Sequence, residues 1–104
     1  MPQGIGFVVN GTMEIHPEDR EKFVELVSRN VRDSQGVEGC IYYAFAADVR
    51  NPNLFHNVEA WTTLAALEKH INGGLMQAAF AEVKKLRVLS RDVTAYAVSG
   101  STAI

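Results

Sequence analysis

From Ile5 to Ile15 the chain is rich in β-branched and apolar residues, and Phe7, Val9, Met13 and Ile15 share one parity, the pattern of a strand with one buried face. His16-Pro17 ends that pattern. Pro17 suits a first helical position, Glu18 and Asp19 suit the positive end of a helix, and Phe23, Leu26, Val27 and Val31 fall on one helical face. Glu18/Lys22 and Glu25/Arg29, each four residues apart, mark the solvent side. A first helix is therefore expected over Pro17 to Ser34, with Gly36 and Gly39 as its stop. Cys40 to Val49 predicts a second strand, with Tyr42, Ala44 and Ala46 on one face and Ile41, Tyr43, Phe45 and Ala47 on the other. Neither face carries a charge, so both should be covered. Asp48 to Asn53 reads as a turn and Leu54 to Trp61 as a third strand, making a hairpin. Thr62 or Thr63 can cap a second helix, Leu64 to Ile71, which Gly73-Gly74 interrupts. Met76, Ala79, Phe80, Val83 and Leu86 continue with an apolar stripe at helical spacing, and Val88 to Val98 predicts a last strand.

This β-α-β-β-α-β order predicts an α+β, ferredoxin-like fold, a four-stranded antiparallel sheet with the helices on one face. The 104 residues contain no stretch polar or Gly/Pro-rich enough to act as a linker, so 1–104 is read as a single domain. Helices on one side leave the other side of the sheet apolar, more so than soluble monomers tolerate. A homodimer packed sheet against sheet is the expected remedy.

A composition of 47% hydrophobic and 21% charged residues is that of an ordinary globular domain, which excludes wholesale disorder. The uncharged segment Cys40 to Ala47 is far too short to cross a bilayer, so no membrane is expected as a partner. Met1 to Asn10 has no basic residue and no long apolar core, so no secretory leader is expected and the location follows as cytoplasmic. Cys40 is the sole cysteine, which excludes an internal disulfide and a clustered-cysteine zinc site; it is expected to be a small buried apolar residue. The net charge of −2 argues against nucleic acid as a partner, and Lys84, Lys85 and Arg87, the one basic cluster, suit the negative end of a helix.

Candidate chemistry is sparse. His16, His56 and His70 have no spacing that brings two of them to one helix face, so no metal site is read. Gly4-Ile5-Gly6 and Gly73-Gly74 lack the setting of a phosphate-binding loop, and no Gly-x-Ser-x-Gly occurs. What remains is Asn57-Val58-Glu59-Ala60-Trp61, where alternation aims Asn57, Glu59 and Trp61 to one side of a strand end. If that side faces the helices, an amide, a carboxylate and an indole enter a space lined by Phe80 and Met76, and each polar group needs a partner. The alternative is that Trp61 is plain core and Glu59 pairs with an arginine such as Arg91. His70, one turn from Leu67 and Ile71, borders the core.

Three segments carry a family resemblance: Gln35-Gly36-Val37-Glu38-Gly39-Cys40-Ile41-Tyr42-Tyr43, then Asn51-Pro52-Asn53, then Glu59-Ala60-Trp61-Thr62-Thr63-Leu64-Ala65-Ala66-Leu67-Glu68-Lys69-His70. With them the chain resembles the antibiotic biosynthesis monooxygenase family of small dimeric α/β-barrel proteins, from Phe7 to Val98. That family holds quinol and anthrone monooxygenases, haem-degrading enzymes, an enzyme processing a signalling sugar derivative and members of unknown role. Asn57 with Trp61 is similar to a site pair of the anthrone-oxidising branch; the tyrosine that branch places six residues after the tryptophan falls at Leu67. The histidine iron ligand of the haem-degrading branch falls at Phe80, which cannot ligate iron.

The resemblance implies oxygenation of a small aromatic molecule, a hydroquinone, quinol or anthrone, by molecular oxygen with no flavin, haem or metal cofactor. Asn57 would hold the developing oxyanion by its amide hydrogens and Trp61 would position the ring and offer its N–H, while Tyr43, Phe45, Met76 and Phe80, with Glu59, would bind the substrate in a water-poor pocket. His70 would move a proton. Two other readings stay open: a non-catalytic dimeric ligand-binding or stress-associated domain, and an isomerase of a small oxygenated metabolite using His70 with Glu59.

Overall fold

The computed structural model describes residues 4–104, so the reading of the leader rests in part on residues 1–3, which lie outside the described residues. In chain order the elements are β1 (Phe7–Ile15), a 3-10 turn (Pro17–Asp19), α1 (Arg20–Ser34), β2 (Cys40–Asp48), β3 (Asn51–Trp61), α2 (Leu64–Asn72), α3 (Gly74–Val83) and β4 (Val88–Ala97). The strands form one sheet in the order β2-β3-β1-β4, every neighbouring pair antiparallel. This is the expected ferredoxin-like α+β topology. No helix is long and apolar enough to cross a membrane among the described residues.

Local chemistry explains where the element bounds depart from expectation. Pro17 opens a 3-10 turn rather than the α-helix itself, with His16 Nδ1 accepting the Glu18 N–H at 3.1 Å, and α1 begins at Arg20. The hairpin between β2 and β3 is tighter than the expected turn because Asp48 Oδ1 accepts the Arg50 N–H at 2.8 Å, which closes a loop of Val49 and Arg50 alone. β3 therefore starts at Asn51, three residues before Leu54. Pro52 is tolerated there because the pairing of β3 with β1 begins only at Leu54, so the missing N–H faces no β1 partner.

Register decides which side chains meet the helices. One row across the sheet reads Tyr43, Glu59, Val9, Ala95 and the next Phe45, Asn57, Gly11, Val93; both lie on the helix side. The rows between them, Tyr42, Ala60, Val8, Tyr96 and Ala44, Val58, Asn10, Thr94, lie on the opposite side. β2 is thus covered on one face only in the single chain: Tyr43 is buried while Tyr42 is exposed. A bulge at Ile41 pairs Cys40 with Trp61 and Tyr42 with Ala60, which takes Ile41 out of the Tyr43 face and leaves it exposed. Cys40 is half-buried rather than buried, at the margin of the apolar cluster of Val9, Tyr43, Trp61 and Leu67. A second cluster, centred on Phe23, Met13, Ile15 and Phe55, fills the other end of the layer between α1 and the sheet. The Lys84–Arg87 cations lie just past the end of α3, where Arg87 forks onto Asp19 at 3.0 and 3.2 Å and ties the start of β4 to the start of α1.

Gly39, at φ +83°, is the one described residue that needs the left-handed region, and a Cβ there would stand 2.5 Å from Ala66 Cβ and 3.0 Å from Thr62 Oγ1. Gly39→Ala should lower stability in urea unfolding by about 1–3 kcal/mol. Gly74→Ala, where an added Cβ meets nothing within 4 Å, should leave stability unchanged or slightly raised. Equal stability of the two variants would show that the close approach of α2 to the β2 entry is not a constraint.

Candidate functional site

The second half of β3 brings Asn57, Glu59 and Trp61 to the helix side at alternate positions, with 7%, 6% and 0% of their surfaces exposed. Their polar atoms meet one another. Glu59 Oε2 accepts an amide hydrogen of Asn57 at 3.0 Å, and Glu59 Oε1 accepts the Trp61 indole N–H at 2.8 Å. Among the described residues no arginine reaches the carboxylate, so the expected alternative pairing with Arg91, which is exposed, is replaced by two neutral donors from the same strand. Burial pushes the Glu59 carboxyl above its ordinary range, and the Trp61 and Asn57 hydrogen bonds pull part of the way back.

Above the carboxylate lies a polar group that sequence reasoning missed. Asn30 and Ser34 are buried on α1, continuing the stripe of Phe23, Leu26 and Val27 at helical spacing. That spacing was the available signal, because polar residues in line with an apolar stripe are carried inward with it. The Ser34 hydroxyl donates to Asn30 Oδ1 at 3.1 Å and lies 3.4 Å from His70 Nε2. The Ser34 hydroxyl thus links the Asn30 amide to the His70 ring, and one nitrogen of the neutral ring stays unprotonated. Asn30 Nδ2 and the Tyr43 hydroxyl both donate to Met76 Sδ, at 3.5 and 3.8 Å. His70 stacks on Trp61 at 5.0 Å between ring centroids and meets the Tyr43 ring edge-on at 5.8 Å. Desolvation lowers the His70 pKa from its ordinary 6.5 and raises that of Tyr43, to which the Glu59 charge adds.

These groups border a cavity of about 180 Å³ between α1, α2, α3 and the sheet. Asn57, Glu59, His70, Tyr43, Phe45, Met76 and Phe80 all line it. Trp61 does not: it is fully buried one layer behind, with its N–H held by Glu59. Leu67, at the position where a tyrosine was expected for the anthrone-oxidising branch, is buried and also lines the cavity. His56 faces the other side of the sheet, its Nε2 2.8 Å from Asp48 Oδ2, and takes no part. Phe80 is half-buried on α3 and lines the cavity together with Val83, Arg91 and Val93.

Residues 6–82 match the family model described as antibiotic biosynthesis monooxygenase. The chain belongs to the antibiotic biosynthesis monooxygenase family. Over 63 residues it is 35% identical to an uncharacterized protein of Synechocystis, a match that covers 61% of this chain and 43% of that relative. The chain thus spans less than half the length of the curated relative it matches. A crystal structure of a candidate antibiotic biosynthesis monooxygenase from Deinococcus radiodurans superposes with a TM-score of 0.89 at 23% identity, covering 94% of this chain and 97% of that one. One from Nitrosomonas europaea gives 0.82 at 17% identity, covering 90% and 99%. At such identities the likeness is one of fold. Family membership therefore brings an oxygenase-like scaffold, and the chemistry has to be argued from the cavity.

Because His70 is neutral when buried, its protonation is opposed by folding. Between its folded pKa and the ordinary 6.5 the unfolded chain binds the extra proton, so this contribution to stability is complete above 6.5 and is lost as pH falls through the folded value. Trp61, the sole tryptophan, reports on it through the stacked ring. Its emission should titrate with a midpoint below 6.5, and the titration should vanish in His70→Phe. A midpoint at or above 6.5 in the native protein would contradict the burial argument.

Proposed function

We propose that the protein is a monooxygenase that needs no flavin, haem or metal and oxidises a small hydroquinone-, quinol- or anthrone-like molecule with molecular oxygen. The observation that supports this most is the composition of the cavity wall: one polar edge of Asn57, Glu59 and His70 inside a shell of Tyr43, Phe45, Met76 and Phe80. Oxygen reacts slowly with closed-shell organics, so the substrate must first become an electron-rich anion. A neutral His70, with one ring nitrogen unprotonated, is suited to take the proton from a phenol or an activated C–H. The apolar shell keeps water from the anion and holds a flat ring in place.

No external reductant is required by the stoichiometry. A hydroquinone and O₂ give a hydroxyquinone and water; an anthrone CH₂ and O₂ give the carbonyl and water. In both cases one oxygen atom enters the product and the substrate supplies all the electrons. An oxygen-electrode screen of the purified protein against hydroquinones, catechols and anthrones should find oxygen consumption above the uncatalysed rate, with label from ¹⁸O₂ in the product. Ligand binding without turnover would assign a binding domain instead, and product formed without oxygen would assign an isomerase using His70 and Glu59.

The reading includes a homodimer. On the side of the sheet away from the helices, the row Tyr42, Ala60, Val8, Tyr96 lies beside Val58 and Ala44, with Tyr42 52% and Tyr96 53% exposed in the single chain. A second copy laid on this face would bury it. Light scattering after gel filtration should report twice the 11.4 kDa chain mass at micromolar concentration, and Val58→Lys should shift the protein to the single mass. A native monomer would remove the sheet-to-sheet contact from the proposal.

A further inference from the structure

We infer that Asn57 meets the ligand as a hydrogen-bond acceptor, through its amide oxygen, and that the cavity thereby selects a neutral flat molecule with a free hydroxyl over the matching ether or carboxylate. This rests on the aromatic-substrate reading above and deepens it by naming the group recognised. The orientation of the amide follows from Glu59. With Glu59 ionised, its carboxylate only accepts hydrogen bonds, so the Asn57 group 3.0 Å from Oε2 is the NH₂ and the oxygen is turned away from it. The reversed amide would set two lone-pair oxygens against each other. Trp61 holds the second carboxylate oxygen at 2.8 Å, which keeps Glu59 from rotating out of this arrangement.

Asn57 Oδ1, in turn, is buried and meets no donor among the described residues. Native interiors seldom leave a carbonyl in that state, and the donors nearby are already engaged. The Trp61 N–H goes to Glu59, the Tyr43 hydroxyl and the Asn30 amide go to Met76, and the Ser34 hydrogen goes to Asn30. A donor for Asn57 therefore has to come from whatever occupies the cavity, and a ligand hydroxyl can take that place. The neighbouring positions in the Asn57 row limit its shape: Phe45 stands on one side, and on the other Gly11 has no side chain and Val93 closes the row. A Cβ at Gly11 would lie 2.3 Å from Asp92 O, so that side cannot hold a larger residue. The space beside the carbonyl is thus apolar on both flanks and fits a ring carrying its hydroxyl at the edge. A ligand that enters already charged would meet the buried Glu59 carboxylate, unlike one that gives its proton to His70 after binding; the one Lys or Arg lining the cavity, Arg91, is exposed and belongs to the next row on the same face, with Met13 and Phe55.

The test is anaerobic calorimetry on the full chain with 1-naphthol, 1-methoxynaphthalene and 1-naphthoate, which share one ring system and differ at the group offered to Asn57. Naphthol should bind about tenfold or more tightly than the ether, and naphthoate more weakly than either. Asn57→Leu, with its fold checked by circular dichroism and by retained ether binding, should bind naphthol no better than the ether. Equal affinity of the native protein for naphthol and the ether would overturn the acceptor assignment alone, as would tightest binding by naphthoate or a hydroxyl preference that survives in Asn57→Leu. Failure of all three ligands to bind would remove the aromatic pocket and with it the functional reading. If Asn57→Leu does not fold, the hydroxyl-to-ether ratio of the native protein decides the matter.

Discussion

The burial of one carboxylate governs the rest of this site. Glu59 stands at an inward position of β3, a strand with neighbours on both sides, and a charge carried there must be satisfied by hydrogen bonds or be protonated. The strand itself supplies the donors: two residues before and two residues after, the same face offers the Asn57 amide and the Trp61 indole. Residues of one strand face lie nearly in line, so a central acceptor flanked by two donors is a self-contained unit that needs no partner from the helices. Its by-products are a fixed amide orientation and a tryptophan withdrawn from the cavity wall. The helices are then free to supply apolar surface and one further polar group.

That further group is positioned by interruptions in the helical layer. α2 ends at Asn72 and α3 begins at Gly74, so the chain turns at Gly73 between His70 and Met76 instead of continuing straight. His70 is thereby set over Trp61 and Met76 is set where Asn30 and Tyr43 both donate to its sulfur. A thioether accepts weakly and adapts its shape, so these contacts satisfy the donors without adding charge. Most polar atoms around the cavity are consequently spent on one another; among the described residues Asn57 Oδ1 is the fully buried one without a partner. In the proposed reading, selectivity comes from that carbonyl, the free His70 nitrogen and the shape of the pocket.

Much of this was legible in the residues, for reasons that differ from one place to another. The topology followed from period and punctuation: alternation in β1, the 3.6-residue stripe of Phe23, Leu26 and Val27, and the Gly73-Gly74 break all report local backbone preferences. The clustering of Asn57, Glu59 and Trp61 followed from strand parity. The partner of Glu59 did not, because parity says which side a group faces and not whether an arginine elsewhere can reach it; Arg91 is on the correct face but two rows away on that face, beyond the Asn57 row. Ile41 was assigned to the wrong surface because a bulge adds one residue and reverses parity beyond it, and nothing in Cys40-Ile41-Tyr42 announces that. Asn30 and Ser34 were overlooked because the helix was read from its apolar residues alone, although their spacing continues the same stripe. The short loop at Val49 and Arg50 was blurred by Pro52 and two asparagines, residues that signal a turn more broadly than the one Asp48 hydrogen bond allows.

The two faces of β3 tie the site to the proposed assembly. Asn57, Glu59 and Trp61 alternate with Val58 and Ala60, so the strand that carries the polar unit on one side carries the middle of the apolar face on the other. In a single chain this strand is held by its hydrogen bonds to β1 and β2 and by the helices above it. A second copy packed on Val58 and Ala60 would restrain it from below as well, since side chains on opposite faces share one backbone. The distances that matter here, 3.0 and 2.8 Å around Glu59, run along one strand and depend on its twist. An interface that fixes the twist of β3 would therefore fix the direction in which the Asn57 carbonyl points, without contributing any residue to the cavity.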